Sequence, residues 1–126
     1  MTRMWMVNPK IMCKNHLLGE HKEIHQLVGS LKRNFGVSGY VRNNCVEITS
    51  IVKRHDAIVY EMMRRGYNHY SPINLTQDQI NDVSSYLCDE ERLYKIDSES
   101  STQDLINRCD NCRDNYHRIY REVGNE

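Results

Sequence analysis

Helix-breaking residues are scarce: the chain has two prolines and six glycines in 126 residues. Internal repeats and low-complexity tracts are absent, so nothing suggests a repeat array. Apolar runs never approach the ~20 residues needed to span a bilayer. A secretory h-region is missing too, because Met1-Thr2-Arg3-Met4-Trp5-Met6-Val7 gives way at once to Asn8-Pro9-Lys10. The five cysteines (13, 45, 88, 109 and 112) form an odd set without a secretion signal, which argues for reduced thiols over a disulfide framework. Together these absences describe a soluble, intracellular, single domain, residues 1–126, with one modest core.

Net charge is also lacking, at zero overall, but the balance hides an asymmetry. Residues 1–74 hold eleven Lys/Arg against five Asp/Glu, whereas residues 75–126 hold six against twelve. Five of the six histidines lie in the first part. A polyanion such as DNA is drawn to the basic part.

What is present is helical periodicity. Asn8-Pro9 has the form of an N-cap followed by proline at the first helical position. Leu17, Leu18, Ile24, Leu27, Val28 and Leu31 then recur at helical spacing, predicting a first helix to about Asn34. Gly36 and Gly39 break it, and residues 40–49 form a loop with a possible short extended piece at 45–48. A second helix follows Ser50, with Ile51, Val52, His55, Ile58, Val59, Met62 and Met63 on one face, and Gly66 stands where a C-terminal cap belongs. Residues 67–74 make a loop. Thr76 and Gln79 form a capping box, with Leu75 and Ile80 as its hydrophobic staple, opening a short helix to about Cys88. Asp97 to Ser101 reads as a hinge or loop. A last helix starts near Ser101 or Thr102, with Leu105, Cys109, Cys112, Tyr116, Ile119 and Val123 as a narrow seam. The fold class is all-α: three main helices plus a short extra one.

The first helix carries the densest polar constellation. His16, Glu20 and Glu23, spaced i, i+4, i+7, share one face. Glu20 lies in the apolar stripe and Glu23 on its flank, where a carboxylate is costly to bury unless paired and can acquire a raised pKa. The same spacing also fits a plain His16–Glu20 pair with a surface Glu23. A small second residue, Thr2, favours trimming of Met1 and a free α-amine, which titrates near 7.7–8.0 and is a competent nucleophile at neutral pH; many chains begin Met-Thr without using it. Cys109-x-x-Cys112 reads first as core cysteines on the last helix, with structural zinc and redox chemistry as the alternatives. Zinc would need partners such as Cys13-x-x-His16, and nothing in the spacing requires those helices to meet there. His21 and His25, one turn apart beside Glu20, suit either a metallohydrolase site or a basic flank with Lys22.

Met1-Thr2-Arg3, His16-Leu17-x-x-Glu20-x-x-Glu23 with Gly29 beyond, and Arg65-Gly66-Tyr67-Asn68 together resemble the pyrimidine-dimer DNA glycosylase family. Met4-Trp5-Met6-Val7-Asn8-Pro9-Lys10 and the Arg108-Cys109-x-x-Cys112-Arg113 tail are similar to its shorter bacterial and viral branch. The resemblance implies a compact helical bundle with the N-terminal segment threaded between helices, and a bacterial or phage-encoded protein, expected as a monomer. It implies that the Thr2 amine attacks the sugar, that Glu23 is the catalytic carboxylate, and that an imine leads to β-elimination without metal or other cofactor. It implies DNA contacts from Arg3, Lys22, His25, Gln26 and Arg65, the partner being duplex DNA with pyrimidine dimers or abasic sites. The chain departs from phage members at Lys22 and Gln26, where they carry arginine; Lys22 keeps a charge without the bidentate fork, and Gln26 keeps none. Their basic, aromatic C-terminal tail is missing, with Tyr116, His117 and Tyr120 as a partial substitute. The alternatives are a non-catalytic helical DNA-binding protein and a metallohydrolase built on His16, Glu20, His21 and His25.

Overall fold

The computed structural model describes residues 3–32, 46–68, 72–73, 76–85 and 89–124. The expectations for Thr2, for Asn34 and the glycines after it, for residues 40–45, for Leu75 as a staple and for Cys88 as a helix end lie outside the described residues. Among the described residues the structure is helical, without strands: α1 (Lys14–Lys32), α2 (Ile51–Arg64), α3 (Gln77–Ser84), the single turn α4 (Asp89–Arg92), α5 (Ser98–Arg108) and α6 (Asp110–Gly124). Short 3-10 turns at Pro9–Ile11 and Ile48–Ser50 precede α1 and α2. No described helix is long and apolar enough to cross a membrane.

Asn8 is a cap, but not of α1. Its side chain accepts from the Lys10 amide at 3.1 Å and closes the Pro9–Ile11 turn. Met12 is then extended (φ −70°, ψ 134°), so α1 starts two residues later, with the Cys13 carbonyl accepting from Leu17. The end of α2 matches expectation. Gly66 adopts φ 86°, and the Gly66 and Tyr67 amides bond back to the Met63 and Met62 carbonyls, the paired pattern of a Schellman cap. At α3, Gln79 N–H donates to Thr76 Oγ1 (3.2 Å) and Thr76 N–H to Gln79 Oε1 (2.8 Å), the expected reciprocal box.

The last helix is the principal correction. It is two helices, not one, and it begins earlier. Asp97 caps α5 by accepting from the Glu99 and Ser100 amides, so the expected hinge at 97–101 is a helix start. Cys109 is extended (φ −129°, ψ 113°) and separates α5 from α6. A seam of alternating four- and three-residue spacing survives such a break without a visible change of period, which is why the pattern concealed it.

α1 packs on α2 and α5 on α6, while the Pro9–Ile11 turn touches both α2 and α6. The core draws Met4, Trp5, Val7, Ile11 and Met12 from the N-terminal segment, Leu17, Ile24, Leu27 and Val28 from α1, Ile51, Ile58 and Met62 from α2, and Leu105 and Cys112 from the last pair. The segment before α1 thus places Met4, Trp5, Val7, Ile11 and Met12 in the core between helices, in keeping with the threaded arrangement. Because Gly66 has a left-handed φ but open space at its Cβ position, Gly66→Ala is expected to lower stability by roughly 1–2 kcal/mol through backbone strain alone, and Gly66→Asn by less. Urea midpoints at unchanged m-value measure it.

Candidate active site and its supports

α1 presents Glu20 and Glu23 to different neighbours. Glu20 is 1 % exposed and meets Arg54 of α2 in a bidentate pair, Nε to Oε2 at 2.6 Å and Nη2 to Oε1 at 2.9 Å. The same guanidinium donates through Nη1 to the Val7 carbonyl at 2.6 Å, and Nη2 lies 3.5 Å from the Met12 sulfur. A buried charge pair is tolerated where its remaining donors find partners, and here each guanidinium nitrogen has at least one. Glu20 is a structural partner of Arg54.

Glu23, one turn on and half-buried, accepts the backbone N–H of Arg3 through Oε2 at 3.2 Å. The N-terminal segment is fixed from further sides as well. Ser101 of α5 donates its hydroxyl to the Trp5 carbonyl. The Arg3 guanidinium lies 3.6 Å over the Trp5 ring and pairs with Asp104 of α5 at 2.9 Å. The Trp5 ring meets His16 of α1 edge-on, with centroids 5.8 Å apart.

Of the cations expected to contact DNA, Lys22 is exposed on α1, as is uncharged Gln26. His25 joins His21 and His55 in a trio with its Nε2 3.2 Å from His21 Nε2. Arg65 is turned inward: Nε binds Glu61 at 2.7 Å, and Nη2 donates to the carbonyls of Pro9, Lys10 and Met12. It ties the chain entering α1 to the end of α2. The proposed metallohydrolase set does not assemble, because Glu20 is taken by Arg54 while His16 faces the cysteines.

Cys13, His16, Cys109 and Cys112 converge, although no spacing along the chain requires it. Cys13 Sγ lies 3.2 Å from His16 Nδ1 and 3.9 Å from Cys109 Sγ, and Cys112 Sγ lies 3.7 Å from His16 Nδ1. Burial alone would raise the Cys109 thiol, but the amides of Cys112 and Asn111 and the neighbouring thiols hold it below its ordinary range. Burial pushes the Cys112 thiol up to about 12.

Sequence reasoning also missed a cleft of about 520 Å³ lined by Lys10, Lys14, Arg64, Arg65 and Arg118 with one carboxylate, Asp114. Arg118 comes from the acidic half of the chain. Charges scattered in sequence are concentrated in space there, which suits phosphate groups.

A family model described as pyrimidine dimer DNA glycosylase matches residues 2–75. The chain belongs to the pyrimidine dimer DNA glycosylase family. No curated protein and no solved structure matches it. The matched stretch takes in the N-terminal segment, α1 and α2, and therefore Glu23, Glu20 and Arg54. Membership makes the chain a DNA repair enzyme of the glycosylase type, acting on DNA that carries pyrimidine dimers. α5 and α6, which hold Asp104, Ser101, Cys109 and Cys112, lie beyond the match.

Two outcomes test these supports. Arg54→Met leaves Glu20 buried and alone and is expected to cost about 3–5 kcal/mol, whereas Glu20→Leu combined with Arg54→Met recovers most of that loss; chemical denaturation of the three variants reports it. At Glu61, burial favours the neutral acid, but the hydrogen bonds and charges of Arg64 and Arg65 outweigh it and hold the carboxyl below its usual value of 4.5. Its stabilisation is thus complete above that value and is lost as pH falls through the lowered native value. Glu61→Gln should flatten this part of the stability profile between about pH 5 and 3.

Proposed function

We propose that the chain is a bifunctional glycosylase and abasic-site lyase, with the α-amine of Thr2, exposed by removal of Met1, as nucleophile and Glu23 as the catalytic carboxylate. The observation that carries this reading is the 3.2 Å bond between the Arg3 amide and Glu23 Oε2. Thr2 directly precedes Arg3 in the chain, so the carboxylate that accepts from the Arg3 amide is the group we assign to work with that amine.

In this mechanism the amine lone pair forms an N–C1′ bond while the glycosidic bond breaks and its electron pair leaves with the base. Loss of a proton from nitrogen and opening of the C1′–O4′ bond give an imine. Glu23 stabilises the positive charge that develops on the sugar and assists these proton transfers. The imine acidifies the C2′ proton, and its removal expels the 3′ phosphate by β-elimination. No metal enters these steps. Lys22 and Gln26, exposed on α1 beside Glu23, and His25 contact the DNA, and the cationic cleft attracts phosphates. Arg3 exchanges Asp104 for a phosphate at little cost, since a partly exposed ion pair is worth about 0–1 kcal/mol. Arg65 acts by positioning the entry to α1.

Borohydride added during reaction with dimer-containing or abasic duplex is expected to trap a covalent complex through Thr2. Glu23→Gln should slow base excision at least about 10²-fold, and the rate should climb with pH through the ~7.7–8.0 range of an α-amine. Efficient trapping by a protein whose terminal amine is acetylated, or none by one whose amine is free, would sink the assignment. A DNA-binding protein without chemistry would show only salt-sensitive binding.

A further inference from the structure

We propose that Cys13, His16, Cys109 and Cys112 form a closed tetrahedral zinc site that clamps the last helix pair onto the N-terminal segment and α1. The four ligand atoms lie within 4.8 Å of one another. Zn–S bonds of about 2.3 Å and Zn–N bonds of about 2.0–2.1 Å at tetrahedral angles separate sulfurs by about 3.8 Å and sulfur from nitrogen by about 3.5 Å. The Cys13–Cys109 sulfurs are 3.9 Å apart, and His16 Nδ1 lies 3.7 Å from the Cys112 sulfur and 3.2 Å from that of Cys13. A disulfide needs sulfurs at about 2.05 Å, and the three described cysteines are free thiols.

The backbone supports the same reading. Both motifs have x-x spacing and both straddle a helix start: Cys13 precedes α1 and His16 stands in its first turn, while Cys109 precedes α6 and Cys112 stands in its first turn. Backbone N–H groups point at the sulfurs, from Cys13 to Cys112 Sγ at 3.2 Å and from Cys112 to Cys109 Sγ at 3.5 Å. Amides at helix N-termini stabilise thiolates. Three thiolates and one imidazole match the borderline-soft preference of zinc. With all four positions supplied by protein, the site has no opening for substrate water and is structural. His16 stands seven residues before Glu23, about 10 Å along α1, so the metal would act on the enzyme by holding Trp5 and the entry to α1 in place.

This proposal does not rest on the glycosylase chemistry, and its readouts are independent of activity. Full-length protein reconstituted with zinc under reducing conditions, then desalted, is expected to hold one equivalent by elemental analysis. Cobalt(II) in its place should give the intense visible bands of a tetrahedral ion with thiolate-to-cobalt charge transfer. Cys109→Ser should lose the metal. His16→Cys should keep one equivalent with stronger charge transfer, and His21→Ala should leave the equivalent intact. Removing the metal with a chelator should lower the thermal midpoint by roughly 10 °C or more. Substoichiometric zinc in the reconstituted protein, cobalt bands without charge transfer, full zinc retention by Cys109→Ser, loss of zinc in His21→Ala, or an unchanged midpoint on metal removal would each overturn it.

Discussion

Arg54 joins three parts of the chain that are distant in sequence. Its guanidinium is held between the Glu20 carboxylate on α1 and the Val7 carbonyl in the N-terminal segment, against the Met12 sulfur, at 5 % exposure. A buried guanidinium that loses an acceptor is left as an uncompensated charge, which is costly, so its partners must all be present together. That condition sets the register of α1 on α2 and holds the segment before α1 in the interior. Hydrophobic contacts alone would tolerate a sliding of these elements that the bidentate pair does not.

The described residues before α1 are then positioned by directional contacts as well as by packing. The Arg3 amide is aimed at Glu23, the Trp5 carbonyl at Ser101 and the Val7 carbonyl at Arg54. Arg65 gathers the carbonyls of Pro9, Lys10 and Met12. A chain terminus is entropically free unless something restrains it, and the nucleophile proposed at this one would lose rate on a displacement of an ångström. The restraints come from α1, α2 and α5, and so from both the matched region of the family and the helices beyond it.

The charge pattern also changes meaning in three dimensions. Arg3 and Arg65, in the basic half, use their charge on Asp104 and Glu61. Arg118, from the acidic half, lines the same cleft as Lys10 and Lys14. The asymmetry in sequence is real, yet the surface available to a polyanion is composed from both halves. Counting charges along the chain locates an interaction class and not an interface.

The all-α class, α2 with its glycine cap, the Thr76–Gln79 box and the family were legible in the sequence, because caps, period and motif are local. Glu23 was legible as a flank position, and its neighbour at the Arg3 amide was not. The break at Cys109 was misread because two helices joined by one extended residue keep the same apolar spacing, and the starts of α1 and α5 because a capping residue does not show in sequence which turn it closes. The inward turn of Arg65 and Arg3 was hidden, since a cation's partners depend on which helix faces it. Only the tertiary structure decided that Cys13-x-x-His16 meets Cys109-x-x-Cys112. Each motif is a local pattern, but the distance between sulfurs some 96 residues apart is a property of packing, and no periodicity encodes it.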